Sequence, residues 1–385
     1  MYRHNLVFAA ACMGMLLFGM VFLSLGTIAV YIQEQYQVSA MRVASLASSL
    51  PLGILLGSLF FGPIVDRFSY KPLLVVSAGL VLVAFELTAY SGSFGVLQFS
   101  YFLIGFAGGM INGSTNALAA DITAEGKGAK LSFLGVFFGI GALGMPILIG
   151  AFSRHYSYRA IISAIGWFVL LPMIYFILVK FPDAKQKQGF PVRRAILLVR
   201  EPVLILLGLF LFFESALEGM VNNWTTLFLK SASLSEPEAL YALSGQLTAM
   251  AITRLVLSRL LRQVPSRIVI YASLILILAG ATLLAYASTF AMALTSMICL
   301  GIGFAAGFPV ILGYVGELYS EISGTAFSLV TVLALTGNTL LNYLTGILVR
   351  SRGIAGFPLM LAGCVILMAV LFTSTYRKIS MKIKS

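Results

Sequence analysis

The chain has 385 residues, of which 60% are hydrophobic and 10% are charged, and its mean hydropathy is +1.00. A soluble domain carries about 25% charged residues, so this composition excludes a water-soluble enzyme, a soluble binding module and a disordered chain. The class that remains is a polytopic membrane protein with a formal net charge of +12.

Twelve apolar runs follow one another along the chain, and each can cross a bilayer as a helix of about 20 residues. We predict spans at 5–31, 43–65, 72–91, 94–120, 130–152, 159–180, 202–229, 238–261, 268–287, 290–318, 322–349 and 354–376. The runs lack the alternation of polar and apolar residues that membrane β-strands show. We therefore predict an all-α membrane protein, and we number the spans 1 to 12.

The basic residues lie mainly on one side of these spans. If the N-terminus is cytoplasmic, 19 of the 25 Lys and Arg residues fall in cytoplasmic segments. Cytoplasmic loops carry an excess of Lys and Arg, so both termini are expected in the cytoplasm, with the protein in the cell inner membrane. This bias accounts for the net charge, so we expect no nucleic-acid partner.

A polar stretch at about 181–201 separates spans 6 and 7 and contains Pro182, Gly189, Pro191 and most of a basic cluster. We interpret it as a cytoplasmic linker between two six-helix bundles at 1–180 and 202–385.

The two halves match each other at an offset of 196 residues. The matching pairs are Gly105 and Gly301, Asp121 and Glu317, Glu125 and Glu321, Gly128 and Gly324, Ser132 and Ser328, Gly141 and Gly337, Arg154 and Arg350, and Lys71 and Arg267. The pattern predicts two parallel repeats.

The loop after span 2 reads Gly62-Pro-Ile-Val-Asp66-Arg67-Phe-Ser-Tyr-Lys71. It resembles the G-x-x-x-D-R-x-G-[RK]-[RK] loop of the major facilitator superfamily, with Ser69 and Tyr70 at two altered positions. The resemblance implies twelve helices in two pseudo-symmetric bundles.

This loop suggests a conformational latch on the cytoplasmic side. Asp66 would bond backbone N–H groups of a neighbouring helix and pair with a cation. The predicted latch residues are Asp66, Arg67, Lys71, Asp121 and Glu317. Asp121 and Glu125 at the end of span 4, and Glu317 and Glu321 at the end of span 10, are expected to add ion pairs with Lys130, Arg262 or Arg267. The alternative is that Asp66 and Arg67 only anchor the loop.

A second resemblance is to the fucose permease group of sugar:cation symporters. The run from Leu131 to Pro146 is similar to the group's L-N-x-x-H-x-x-F-G-x-G-A-x-x-x-P pattern, with Gly135 in place of His. Glu218 and Trp224 match its E-x-x-x-x-x-W pattern. Asn116 matches the group's Asn in span 4, whereas Asn112 stands where the group has an acidic residue, and Gly26 stands where it has an Asp in span 1.

Charged side chains at membrane depth are costly and usually functional. Glu214 and Glu218 lie near the middle of span 7, four residues apart and therefore on one face. A carboxyl group there can take up a proton. We predict Glu218 as the proton-coupling residue and Glu214 as the second candidate; a structural carboxyl is the alternative.

Amide side chains favour a neutral polyhydroxylated ligand, because each offers two donors and two acceptors. The predicted substrate-binding residues are Asn112, Asn116, Asn222, Asn223, Trp224, Gln246, Asn338 and Asn342. The alternative for each Asn is a hydrogen bond that joins neighbouring helices.

The sequence therefore predicts a secondary active transporter, with proton-coupled symport of a sugar-like solute by alternating access as the first hypothesis. A proton-driven multidrug or metabolite efflux antiporter is the alternative, since the chain has 29 Phe and 15 Met residues. It has no nucleotide-binding loop or enzyme motif, so we expect no enzymatic activity. We expect no bound cofactor, a proton or Na⁺ gradient as the energy source, and a monomer in the lipid bilayer.

Overall fold

The computed structural model describes residues 2–37, 40–153, 155–185 and 197–384. Most of the predicted basic cluster of the linker, namely Lys187, Arg193 and Arg194, lies outside the described residues, and so does Arg154.

The described residues form helices without a strand, and twelve helical stretches are long and apolar enough to cross a membrane. The continuous spans are span 1 (His4–Tyr36), span 2 (Ala40–Phe68), span 3 (Tyr70–Tyr90), span 4 (Phe94–Asp121), span 5 (Lys127–Phe152), span 7 (Pro202–Ser231), span 8 (Glu236–Leu260), span 9 (Ser266–Ala285), span 11 (Ser323–Arg352) and span 12 (Phe357–Lys384). The prediction of an all-α protein with twelve spans is confirmed.

Spans 6 and 10 are each broken into two helical segments, which the apolar runs did not predict. Span 6 consists of Tyr158–Phe168 and Leu170–Leu178, and span 10 of Phe290–Phe304 and Gly307–Leu318. A proline lacks the backbone N–H and clashes with the carbonyl group four residues earlier. In both spans that carbonyl lies at the break, because Pro172 follows Phe168 and Pro309 follows Ala305 by four residues.

Spans 4, 6, 8 and 10 each begin with a side chain that satisfies a free backbone group. The side-chain oxygens of Ser93, Ser157 and Thr289 accept hydrogen bonds from the N–H groups three residues further on. At span 8 the Glu238 carboxylate accepts from the backbone N–H of Ser235 at 2.9 Å. Such caps stabilise a helix start, so these serines and threonines fix where the spans begin.

Backbone contacts divide the chain into two compact units. The first contains the described residues of Met1–Ile122, Leu134–Ala195 and Glu321–Ser328. The second contains those of Thr123–Phe133, Ile196–Ser320 and Leu329–Ser385. The boundaries of the two six-helix bundles stay a prediction.

Glycine contacts repeat at the predicted offset of 196 residues. In the first unit, a Cβ atom on Gly105 would lie 2.1 Å from the Leu50 carbonyl oxygen. In the second, a Cβ atom on Gly301 would lie 2.2 Å from the Gln246 carbonyl oxygen. Only glycine allows helix backbones to approach this closely, so spans 2 and 4 pack as spans 8 and 10 do.

The same correspondence holds for two further spans in each unit. A Cβ atom on Gly141 would lie 2.0 Å from the Leu16 carbonyl oxygen, and one on Gly337 would lie 2.2 Å from that of Phe212. Both partners differ by 196 residues, so spans 1 and 5 pack as spans 7 and 11 do.

A pair of serine hydrogen bonds completes the repeat. Ser328 donates to the Ser58 carbonyl oxygen at 2.5 Å in the first unit. Ser132 donates to the Arg254 carbonyl oxygen at 2.6 Å in the second. The two donors are 196 residues apart, and so are the two acceptors. The hydrogen bonds therefore support the internal repeat independently of residue identity, since the acceptor residues themselves differ.

Candidate functional site

Span 7 carries a row of polar side chains at helical spacing. Glu214 is 1% exposed, and Glu218 and Asn222 are half-buried. The Glu214 Oε1 and Asn222 Oδ1 atoms are buried and have no hydrogen-bond partner among the described residues. Buried polar atoms are normally paired, so this row has unused capacity to bind a proton, an ion or a ligand.

Glu214 lies against the break in span 10. A Cβ atom on Gly307 would lie 2.3 Å from Glu214 Oε1 and 2.4 Å from its Cδ, so only a glycine leaves room for this carboxyl group. Gly307 is the first residue of the second segment of span 10, whose N-cap, Ala306, provides no side-chain hydrogen bond. The N-terminus of a helix favours negative charge, so the break gives the carboxylate a favourable electrostatic environment within the bundle.

Arg254 of span 8 accompanies the two carboxyl groups. The sequence left open whether it pairs with a carboxyl group or lies near the cytoplasmic surface, and we favoured the surface. The structure shows the side chain 8% exposed and within electrostatic range of both Glu214 and Glu218. Arg254 Nε is buried and has no hydrogen-bond partner in the described part of the chain.

These three groups have a simple charge balance. A guanidinium group stays protonated in proteins, so Arg254 always contributes one positive charge. With both carboxyl groups ionised the cluster carries one net negative charge, and binding one proton makes it neutral. An uncompensated charge at this depth is costly, so proton uptake and release change the stability of the cluster.

Amide groups of spans 7 and 11 bond to one another. Asn342 Oδ1 accepts hydrogen bonds from Asn223 Nδ2 at 3.0 Å and Trp224 Nε1 at 3.2 Å. Its Nδ2 donates to the Asn338 backbone oxygen at 2.8 Å, and Asn338 Nδ2 donates to the Ser215 backbone oxygen at 2.7 Å. These four predicted ligand residues therefore join the helices in this structure, which was the alternative interpretation of the asparagines.

Gln246 differs from these amides, because it is fully buried and neither its Oε1 nor its Nε2 atom has a partner among the described residues. In the first unit, Asn116 Nδ2 donates to the Asn112 side-chain oxygen at 3.0 Å and to its backbone oxygen at 2.8 Å. Of the predicted ligand residues, Gln246 and Asn222 thus have buried polar atoms that can form hydrogen bonds with a solute.

Asp66 makes the kind of contact expected of it, whereas Asp121 pairs with a residue that the sequence did not indicate. Asp66 is 1% exposed and accepts hydrogen bonds from the backbone N–H groups of Gly324 at 3.2 Å and Thr325 at 2.9 Å. Asp121 pairs with Lys185 of the linker at 2.7 Å. The expected cations were Lys130, Arg262 and Arg267, so Lys185 was not among the predicted partners.

The other latch candidates differ in their burial and contacts. Arg67 is exposed, and its guanidinium group lies over the Phe68 ring at 5.1 Å. Lys71 is half-buried. Glu317 belongs to the second unit, is exposed and lies within electrostatic range of Lys127.

Sequence reasoning missed Lys185 and Ser215 and misplaced Arg254. Lys185 is one of two lysines and five cations in the linker at 181–201, and nothing in the pattern singles it out. Arg254 follows Gln246 by eight residues, which places both on one face of span 8, and that spacing was the available signal.

A model of the Major Facilitator Superfamily matches residues 10–244, which is more than half of the chain. The chain belongs to the Major Facilitator Superfamily. The resemblance seen in the loop after span 2 is therefore confirmed, and the protein is a multi-pass member of a superfamily of membrane transporters.

Relatives in this superfamily differ in what they move. The chain is 24% identical over 358 residues to the uncharacterised MFS-type transporter YfkL of Bacillus subtilis, covering 88% of this chain and 87% of YfkL. It is 28% identical over 170 residues to a bicyclomycin resistance protein homolog of Haemophilus influenzae, covering 42% and 41%.

The fold matches that of a solved symporter. A crystal structure of the E. coli fucose:proton symporter FucP superimposes with a TM-score of 0.77 at 17% identity, covering 96% of this chain and 98% of FucP. At this identity the likeness establishes the shared fold.

Proposed function

We propose that this protein is a secondary active transporter that moves a sugar or sugar-like neutral solute together with a proton by alternating access. The observation that carries the proposal is a group of three charged side chains within electrostatic range of one another, in which Glu214 and Arg254 are buried and Glu218 is half-buried. Asn222 and Gln246 of the same unit add buried polar atoms that have no partner among the described residues. Buried charge is costly in a membrane and usually marks an ion or substrate pathway.

Proton coupling follows from the charge balance of this cluster. One proton is the difference between a neutral cluster and one with a net negative charge. Glu218 is half-buried whereas Glu214 is 1% exposed, which supports Glu218 as the residue that exchanges the proton with water. Na⁺ is the alternative coupling ion.

The class of solute is inferred from the side chains that still have atoms free to form hydrogen bonds. Gln246 and Asn222 offer unpaired amide atoms, and Trp224 offers an aromatic ring in the same unit. Rearrangement of the Asn223, Asn338 and Asn342 contacts would add further donors and acceptors in this unit. The fold shared with FucP supports a sugar-like solute.

A proton-driven efflux antiporter is the second candidate. The relative named as a bicyclomycin resistance protein homolog favours it. So does an aromatic cluster in the first unit, where the ring of Phe138 lies 5.5 Å from that of Phe18 and 5.7 Å from that of Phe22. Such a surface suits an amphipathic compound.

We place the protein in the cell inner membrane with both termini in the cytoplasm, on the distribution of Lys and Arg. We expect it to work as a monomer, without a bound cofactor or a nucleic-acid partner.

Transport by purified protein in proteoliposomes tests the function. A panel of labelled sugars is offered with and without an inward proton gradient, and a lipophilic cation is offered in parallel. We expect one or more sugars to accumulate only with the gradient. Expulsion of the cation without accumulation of any sugar would replace symport by efflux.

Glu218→Gln tests the coupling step in the same vesicles. The amide cannot exchange a proton, so the variant is expected to lose gradient-driven accumulation and to keep counterflow exchange, which needs no net proton movement. Unchanged uphill transport would remove Glu218 from the coupling role.

A further inference from the structure

Asp121, the last residue of span 4, is bound by a residue of the linker. Its Oδ2 atom accepts a hydrogen bond from the Tyr70 hydroxyl at 2.5 Å and pairs with Lys185 Nζ at 2.7 Å. The Asp121 side chain is 7% exposed and that of Lys185 is 28% exposed. This ion pair is therefore largely shielded from water, where charge-assisted hydrogen bonds are strong.

Lys185 also reaches the start of span 11. Its Nζ donates to Ser323 Oγ at 2.7 Å, and Ser323 is the first residue of the span 11 helix. The next two residues, Gly324 and Thr325, donate their backbone N–H groups to Asp66. The lysine thus bridges the end of span 4 to the first turn of span 11, directly beside the Asp66 contact.

The backbone of the linker is held at the same place. Ser69 Oγ, in the short loop after span 2, donates to the Pro182 carbonyl oxygen at 2.6 Å. Pro182 lies three residues before Lys185, so the linker is fixed on both sides of the residues between them. All of these contacts lie within the first unit.

Charge explains why a lysine is needed here. Asp66 and Asp121 are two buried carboxylates in one network, and Lys185 is within electrostatic range of Asp66 as well as paired with Asp121. Tyr70 occupies the loop position where the superfamily pattern has a basic residue, and it supplies a hydrogen bond without a charge. The cation comes from the linker instead.

We propose that Lys185 is a positioning residue that holds the first turns of span 11, Ser323–Ser328, against the ends of spans 2 and 4. Release of these turns then requires Lys185 to leave Asp121, so the linker takes part in the conformational change. The proposal is independent of the solute and of the coupling ion.

Hydrogen–deuterium exchange of the full-length protein in lipid nanodiscs tests this role. Lys185→Gln is expected to raise amide exchange in Ser323–Ser328 by about threefold to tenfold, since the charge-assisted contact of a partly exposed lysine is lost. Lys185→Arg keeps the charge and is expected to stay within about twofold of the wild-type rate. Exchange in span 9 serves as the internal reference.

Lys180→Gln is the matched control, because it removes one exposed positive charge five residues earlier. It is expected to leave exchange in Ser323–Ser328 unchanged. Equal acceleration in Lys180→Gln and Lys185→Gln would overturn the proposal in favour of a general charge effect, and so would no acceleration in Lys185→Gln.

A double variant tests whether Lys185 acts through Asp121. Asp121→Asn alone is expected to raise exchange in Ser323–Ser328, and adding Lys185→Gln is expected to raise it no further, because the two residues share one interaction. Additive acceleration would contradict the bridge. Failure of sugar uptake in all variants would concern the proposed function and leave these exchange results intact.

Discussion

Spans 1 and 5 of the first unit occupy the same positions in the repeat as spans 7 and 11 of the second. The glycine that allows close packing is Gly141 on the Leu16 carbonyl in one pair of spans and Gly337 on the Phe212 carbonyl in the other. The side chains at equivalent positions of spans 1 and 7 nevertheless differ, because they are aromatic in span 1 and acidic in span 7. In the first unit Phe18 and Phe22 contact the Phe138 ring.

The positions equivalent to these two phenylalanines are acidic in the second unit. Glu214 corresponds to Phe18 and Glu218 corresponds to Phe22 at the offset of 196 residues. The asparagines of span 11 follow the same rule, because Asn338 corresponds to Ala142. The repeat therefore keeps the backbone contacts and changes the side chains, so at these equivalent positions only the second unit has ionisable side chains.

Removing the ionisable group at position 214, which corresponds to Phe18 in the first unit, should have the largest effect on transport. Glu214→Gln leaves Arg254 with one carboxylate, a cluster that is neutral without a bound proton, so coupling is expected to be lost. With a pH difference of about two units, one coupled proton supports about a hundredfold accumulation, which should fall to about one. Accumulation ratios in proteoliposomes measure this change.

Phe18→Leu is the control at the equivalent position of the first unit. It keeps an apolar side chain and is expected to retain the accumulation ratio of the wild type. If Phe18→Leu abolished accumulation while Glu214→Gln kept it, coupling would not depend on the carboxyl group at position 214.

Replacing the glycine of the shared backbone contact should lower stability by a similar amount in both units. Gly141→Ala and Gly337→Ala each place a Cβ atom against a carbonyl oxygen, at 2.0 and 2.2 Å in the unrelaxed structure. Each is expected to lower the free energy of unfolding by about 1–3 kcal/mol, the usual cost of overpacking. The change in melting temperature in detergent measures it.

Gly144→Ala provides the control on the same span, since no atom lies within 4 Å of a Cβ atom built there. It should leave the melting temperature nearly unchanged. A loss of stability in only one of the two contact variants would show that the repeat is a sequence likeness without shared packing.

The sequence predicted the spans because a bilayer requires about 20 apolar residues for each, and these runs stand out in a chain with 10% charge. It did not predict the break in span 10, because Gly307 and Pro309 lie in an otherwise continuous apolar run. The packing of Glu214 against Gly307 depends on how the two spans meet, which periodicity does not determine.

Scarcity of charge also explains which site residues could be predicted. Glu214 and Glu218 stand out because few charged residues lie within spans. Lys185 does not, since it is one of several cations in a polar linker, and only the folded chain brings it to Asp121. Long-range pairs of this kind require the three-dimensional arrangement of span ends.

The smallest expected effect concerns the repeated serine hydrogen bonds. Ser328→Ala removes the bond to the Ser58 carbonyl and Ser132→Ala removes the bond to the Arg254 carbonyl. A buried hydrogen bond contributes about 0.5–1.5 kcal/mol, so each variant should raise local amide exchange by about threefold to tenfold. Hydrogen–deuterium exchange at the starts of spans 5 and 11 measures both.

Ser244→Ala is the control for these two variants, because this exposed serine donates to the Leu240 carbonyl within its own helix at 2.9 Å. It should leave exchange at both span starts unchanged. Equal effects of Ser132→Ala and Ser328→Ala would extend the shared packing to these span ends.

A larger effect of Ser132→Ala would indicate that the two units differ in the strength of this contact. Its acceptor is the carbonyl group of Arg254, a member of the charged cluster. In that case Arg254 would link the Ser132 hydrogen bond to the carboxyl groups of Glu214 and Glu218.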